Sequence, residues 1–155
     1  MKRLSAPILA GILVLASAGT LCAQTRSVIE VTRADIQTDR KAIVAANLPL
    51  SDVQATGFWP IYREYRGEMD RIGDRTVKVM TDFVASYGEM TDEKATPMMT
   101  EFLAIQRDVL KVKNKYMPRF TKIMPAKSAL RFYQIENKLD NIVMMGIAAD
   151  IPLSK

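Results

Sequence analysis

Leu50-Ser51-Asp52-Val53-Gln54 opens one long apolar periodicity, and forty positions later Met90-Thr91-Asp92-Glu93-Lys94 opens a second. The echo continues beyond the openings. Asp52 pairs with Asp92, Ala55 with Ala95 and Thr56 with Thr96, while Phe58, Tyr62, Tyr65, Met69 and Ile72 match Met98, Phe102, Ile105, Val109 and Val112. Such self-similarity implies one helix-turn unit used twice, a helical hairpin rather than a catalytic scaffold.

The openings have a physical reading. Ser51 and Thr91 can each accept a hydrogen bond from an unpaired N–H of the first helical turn, and Gln54 can reciprocate to complete a capping box. Lys94 has no acceptor, so the second box is expected to be half made. Leu50 and Met90, one residue before each cap, can pack back on the first turn. Ahead of the first copy, Asn47-Leu48-Pro49 reads as a turn, because Pro49 disfavours helix at Leu48 and Asn47 tolerates a left-handed exit.

Working outward, four helical segments are predicted. The first, about Val31 to Ala46, places Ile29, Ile36 and Ile43 at heptad spacing, a thin stripe, with Lys41 near its end to complement the helix dipole. A second runs from Asp52 to about Tyr87 with Phe58, Ile61, Tyr65, Met69, Ile72, Thr76, Val79, Phe83 and Tyr87 at steps of three and four. Pro60 removes one helical hydrogen bond, which predicts a kink near Trp59, and Gly88 offers a helix exit. The third, Asp92 to about Ile123, carries Met98, Phe102, Ile105, Val109, Val112 and Tyr116 as a narrow seam of coiled-coil type. Pro118 should bend it, and Met124-Pro125 should end it. A fourth, Ala126 to about Gly146, repeats the rhythm in Phe132, Ile135, Leu139 and Ile142, and the tail from Ala148 reads as a packed extended end. The expected class is all-α: a long antiparallel helical hairpin with flanking helices.

With its paired Leu-Ser/Thr-x-x-Gln-like helix starts, this chain resembles the Spy/CpxP family of periplasmic helical proteins, known by a Leu-Thr-x-x-Gln motif. The resemblance covers roughly Leu48 to Leu139, since Met124-Pro125-Ala126-Lys127-Ser128-Ala129-Leu130-Arg131-Phe132 also looks like that family's last helix start. Ser51 stands for Thr, Met90 for Leu and Lys94 for Gln. The chaperone members are thin, cradle-shaped antiparallel helical dimers that hold unfolded clients without ATP, so the resemblance implies a homodimer and chaperone-like binding of unfolded or envelope-associated proteins, with a stress-response role. Other relatives are metal sensors, which makes a metal-response accessory the alternative; a structural protein with one fixed partner is a third.

Residues 1–23 read as a signal peptide to be excluded from the fold, leaving 24–155 as one all-helical domain in the periplasm. Lys2 and Arg3 precede an apolar stretch from Leu4 to Ala18, and Leu21-Cys22-Ala23 supplies a small residue before a cut ahead of Gln24, a cut after Ala18 being the alternative. Bulky Leu21 sits where a lipobox requires a small residue, which argues against a lipoprotein anchored at Cys22. No later segment is apolar enough for stable membrane insertion.

Without the leader the chain has neither cysteine nor histidine, and 20 basic residues face 17 acidic ones. The distribution matters more than the net. Between Arg107 and Arg131 eight basic residues meet Asp108 alone, whereas the segment from Gln24 to Gln106 carries ten basic and thirteen acidic residues.

This inventory disfavours catalysis, since no nucleophile has a partnering base. Glu64 with Glu68, and Asp70 with Asp74, lie four apart but interleave with Arg63, Arg66, Arg71 and Arg75, which reads as a solvated face of ion pairs along one helix. No cofactor is expected, and the missing imidazole keeps a relative's metal site from carrying over. The methionines look scattered over apolar positions rather than grouped for Cu(I). Nucleic acid is disfavoured by the exported address. What remains is protein recognition: Phe58, Trp59, Tyr62 and Met69 as an apolar client-binding stripe, or as the seam between two protomers, with Lys111, Lys113, Lys115, Arg119 and Lys122 supplying attraction for acidic segments.

Overall fold

The computed structural model describes residues 39–149 and 151–153, and among these every regular element is helical. Helix α1 is described over residues 39–47, α2 spans Asp52–Ser86, α3 Asp92–Thr121 and α4 Ala126–Ala149. The protein is therefore all-α, with a long helical hairpin at its centre. The expected start of the first helix before residue 39, and the expected leader, lie outside the described residues.

The first hairpin helix begins as its sequence dictates. Ser51 adopts an extended backbone, its hydroxyl accepts from the Gln54 N–H at 3.4 Å, and its own N–H donates to Gln54 Oε1 at 3.0 Å. Just upstream, the Leu48 N–H donates to the Val44 carbonyl and Asn47 Nδ2 to the Ile43 carbonyl, which closes α1 and buries Leu48. Leu50 packs against the core. The second copy differs: Thr91 is the N-cap in an extended conformation, yet its side chain accepts nothing. The Thr91 hydroxyl and the Glu93 backbone beside it hold the Glu93 carboxyl below its usual range. Lys94 turns back to donate to the Glu89 carbonyl at 3.2 Å. The expectation of a half-made box is thus corrected to a start without a side-chain cap.

Three boundaries also move. Helix α2 stops at Ser86, and Tyr87–Glu89 form a single 3-10 turn in which Gly88 lies outside the left-handed region, so the chain turns by tightening its last turn rather than by a glycine exit. Helix α3 stops at Thr121, where the N–H groups of Ile123 and Met124 both donate to the Phe120 carbonyl. Helix α4 runs on to Ala149, past the expected stop at Gly146, and the described tail begins only at Ile151. Helix α2 continues through Pro60, and α3 through Pro97 and Pro118.

Ion pairs record the register of the hairpin. Arg119 meets Glu64, Lys115 meets Glu68, and Arg75 meets both Asp108 and Glu101, so residue numbers rise on one helix as they fall on the other, as antiparallel packing requires. Helix α4 lies antiparallel to α3 and parallel to α2, with Phe132 against Phe58 and Glu136 against Arg66. At about 1.5 Å per residue, the 35 residues of α2 extend about 52 Å and the 24 of α4 only about 36 Å. The tip of the hairpin therefore projects past most of α4, and among the described residues it is met by Ala148 at the end of α4 and by the tail at Ile151–Leu153.

The core is aromatic near the base and aliphatic toward the tip. Phe120 and Phe132 have ring centroids 4.6 Å apart, Phe58 stands 5.3 and 5.2 Å from them, and Tyr65 packs edge-on to Phe132 at 5.8 Å. Ile72, Ile105 and Val112 continue the seam toward the tip. Gly57 permits the closest approach at the base, since a Cβ there would stand 3.3 Å from the Ile123 side chain. The unequal caps give a direct test. Ser51→Ala should cost about 1 kcal/mol of stability in urea unfolding, the usual loss for a satisfied N-cap, whereas Thr91→Ala, which removes no cap bond, should cost a small fraction of that.

Candidate functional site

Burial redraws the apolar half of the expected binding surface. Phe58 is fully buried, and Tyr62 and Met69 are 5% and 7% exposed. They face inward because α4 lays Phe132 across the α2–α3 seam, so the stripe expected to meet clients or a second protomer is the interior of a single chain. Trp59 is half-buried, edge-on to Phe58 and Tyr62, with the Lys41 ammonium 5.4 Å from its ring. The reading of Phe58, Tyr62 and Met69 as an exposed client surface is corrected accordingly, while Trp59 keeps part of its ring outside.

The basic half divides in two. Arg119 holds Glu64 at 2.6 Å and Lys115 holds Glu68 at 2.6 Å, with the Tyr116 hydroxyl donating to the same Glu68 oxygen at 2.8 Å. These cations link α3 to α2 and are engaged within the fold. Lys111, Lys113 and Lys122, together with Arg107, form no ion pair among the described residues. The carboxylates expected to sit in a one-helix network instead split: Glu64 and Glu68 cross the hairpin, while Asp70 stays with Arg66 at 2.7 Å on its own helix.

A polar cluster lies where the apolar rhythm of α4 should continue. Glu136 is fully buried and accepts from Arg40 at 2.9 Å, Arg66 at 2.9 Å and the Tyr62 hydroxyl at 3.2 Å; Arg40 also reaches Asp140 at 2.9 Å. One carboxylate thus ties α1, α2 and α4 together. Burial, and then Glu136 itself, pushes the Tyr62 phenol up. The signal in the sequence was a glutamate four residues after Phe132 and three before Leu139, inside the apolar face. Beside the cluster runs a groove of about 290 Å³ between α2, α3 and α4, with Arg40, Arg66 and Asp140 at its polar end and Met69, Val109 and Ile147 at its apolar end.

Two apolar surfaces remain outside. On the outer side of α3, Met99, Leu103, Leu110 and Met117 are 66%, 56%, 59% and 51% exposed. At the tip, Met80, Phe83, Met90, Met98, Met99 and Phe102 line a cleft of about 490 Å³ bordered by the tail. Four methionines that look scattered along the chain thus share one cleft. Among the described residues no three His, Cys, Asp or Glu side chains converge as a metal site would require, and no helix is long and apolar enough to cross a membrane. No known family profile, no curated protein and no solved structure matches the chain.

Two measurements test this electrostatic framework. Replacing Glu136 by Ala leaves Arg40 and Arg66 without their shared buried partner, and should cost about 3–5 kcal/mol in urea unfolding. The bridging carboxyls Glu64, Glu68, Glu101 and Asp108 are all held below their ordinary range, in each case first by the hydrogen bond from Arg119, Lys115 or Arg75. A depressed folded pKa stabilises the fold above the unfolded value near about 4, and that contribution is lost as pH falls through the folded value. Melting temperature should therefore hold steady down to about pH 5 and fall below about pH 4. In a Glu64→Gln, Glu68→Gln double variant the acid decline should be shallower.

Proposed function

We propose that this chain is an exported, non-enzymatic protein-binding protein that holds unfolded or envelope-associated polypeptides without ATP, a Spy/CpxP-like chaperone with an envelope-stress role in the periplasm. The observation that carries this reading is the apolar surface left outside a core already filled by its own rings. Met99, Leu103, Leu110, Met117, Leu130, Ile142 and Met145 all stand more than half exposed. Isolated exposed apolar residues are ordinary on a folded protein, but rows of them beside cations that form no ion pair among the described residues suit reversible contact with partly unfolded chains. The paired helix starts at Leu50-Ser51 and Met90-Thr91 support the family resemblance through the hairpin they begin. A homodimer belongs to the same reading, through a face other than the outer side of α3, where like charges would meet.

A second reading is favoured by one feature, the methionines gathered at the tip. Thioethers are soft ligands suited to Cu(I), which would make the tip the sensing end of a metal-response accessory. The two readings separate in solution. The client-binding protein should suppress light scattering from an aggregating test protein at near-stoichiometric ratio and lose potency as salt screens its cations. Scattering unchanged at every salt concentration overturns it. A metal accessory should gain thermal stability with excess Cu(I) by mass action, and no shift would retire that alternative.

A further inference from the structure

We infer that the outer face of α3 is a docking site for an acidic amphipathic helical segment of a partner protein, which deepens the client-binding reading and rests on it. Around a helix of 3.6 residues per turn, Met99, Leu103 and Met117 all fall within about 20° of Leu110, so the four form one straight row about 27 Å long from Met99 to Met117. The row lies opposite the seam that packs on α2. It is a second apolar stripe on a helix whose first stripe is already buried.

The charges beside this row are of one sign. Arg107 and Lys113 flank Leu110 at positions three residues away on either edge, and neither forms an ion pair among the described residues. Beyond its first turn, α3 contains only two carboxylates, Glu101 and Asp108. Both are drawn to the far side by Arg75 of α2, at 2.7 and 2.5 Å. The outer face therefore presents apolar anchors edged by cations and no anion. A second copy of this chain docking through the same face would set cation against cation, which argues against self-pairing there. A helix with apolar residues at matching spacing and glutamates or aspartates along its edges would bury the row and neutralise Arg107 and Lys113 together. The partner chemistry follows from that complementarity.

The test uses the full chain without its leader and three labelled peptides of about 18 residues, the length of the row. One is an acidic amphipathic helix, one its charge-reversed basic counterpart, and one a scramble of the acidic peptide. Fluorescence anisotropy should show the acidic amphipath binding at least about tenfold more tightly than either control, with affinity falling as salt rises. A Leu103→Ser, Leu110→Ser variant should lose that preference while its circular dichroism and melting temperature stay unchanged, because both side chains are exposed. An Arg107→Glu, Lys113→Glu variant should shift the preference toward the basic peptide. Equal binding of all three peptides, or an unchanged preference in the serine variant, overturns the site. So does a dimer in analytical ultracentrifugation that the serine variant abolishes, since the face would then be a contact between copies. Running the same proteins in the scattering assay separates the two ideas. Suppression retained without peptide preference removes the α3 site alone, and peptide preference without suppression removes the chaperone reading alone.

Discussion

Glu136 is the constraint on which the arrangement depends. A carboxylate with no exposure to water must have its charge compensated by fixed donors, and here those donors come from α1, α2 and the adjacent turn of α2: Arg40, Tyr62 and Arg66. Packings of α4 shifted by a turn along the hairpin would part Phe132 from Phe58 and Phe120. They would also strand the glutamate among hydrocarbon, at a cost of several kcal/mol. The aromatic cluster supplies the bulk of the packing, and the buried charge favours the same register.

That register decides what the surface can be. With α4 seated so that Phe132 meets Phe58 and Phe120, every large ring near the base is occupied within one chain. Recognition then falls to aliphatic and thioether side chains, which deform more readily than rings and tolerate varied contacts. The cross-hairpin pairs act in the same direction. They hold α3's own carboxylates and two of its cations inside the α2–α3 boundary, leaving the opposite face with a uniform sign.

Much of the architecture was legible in the residues themselves. Ser51 and Gln54 specify a local hydrogen-bond exchange that needs no tertiary partner, and the steps of three and four through α2, α3 and α4 report which side of each helix is apolar. What such steps do not report is how many neighbours share that side. A narrow seam on α2 reads as too thin to be covered until α4 is placed over it, which is why Phe58, Tyr62 and Met69 were expected on the surface. Glu136 was missed because a lone acid in an apolar rhythm reads as an interruption unless its distant partners, 70 to 96 residues away, are known. The row through Leu103 and Leu110 was missed for the opposite reason: the inner stripe of α3 accounts for the helix, and a second row draws no notice until the inner one is seen to be full. Lys115 and Arg119 carry the same lesson, since their engagement with α2 depends on hairpin register.

The missing cap at Thr91 gives the molecule a mechanical polarity. At the base, a closed capping box, stacked rings and a buried charge lock four helices into one stiff block. At the far end, two helices meet the last turn of α4 and a short tail around a cleft, the two joined by a single 3-10 turn and an uncapped start. Thermal fluctuation will therefore concentrate at that end, as in a pair of tongs gripped at the handle, so the methionine-lined jaws can spread and close while the grip holds still.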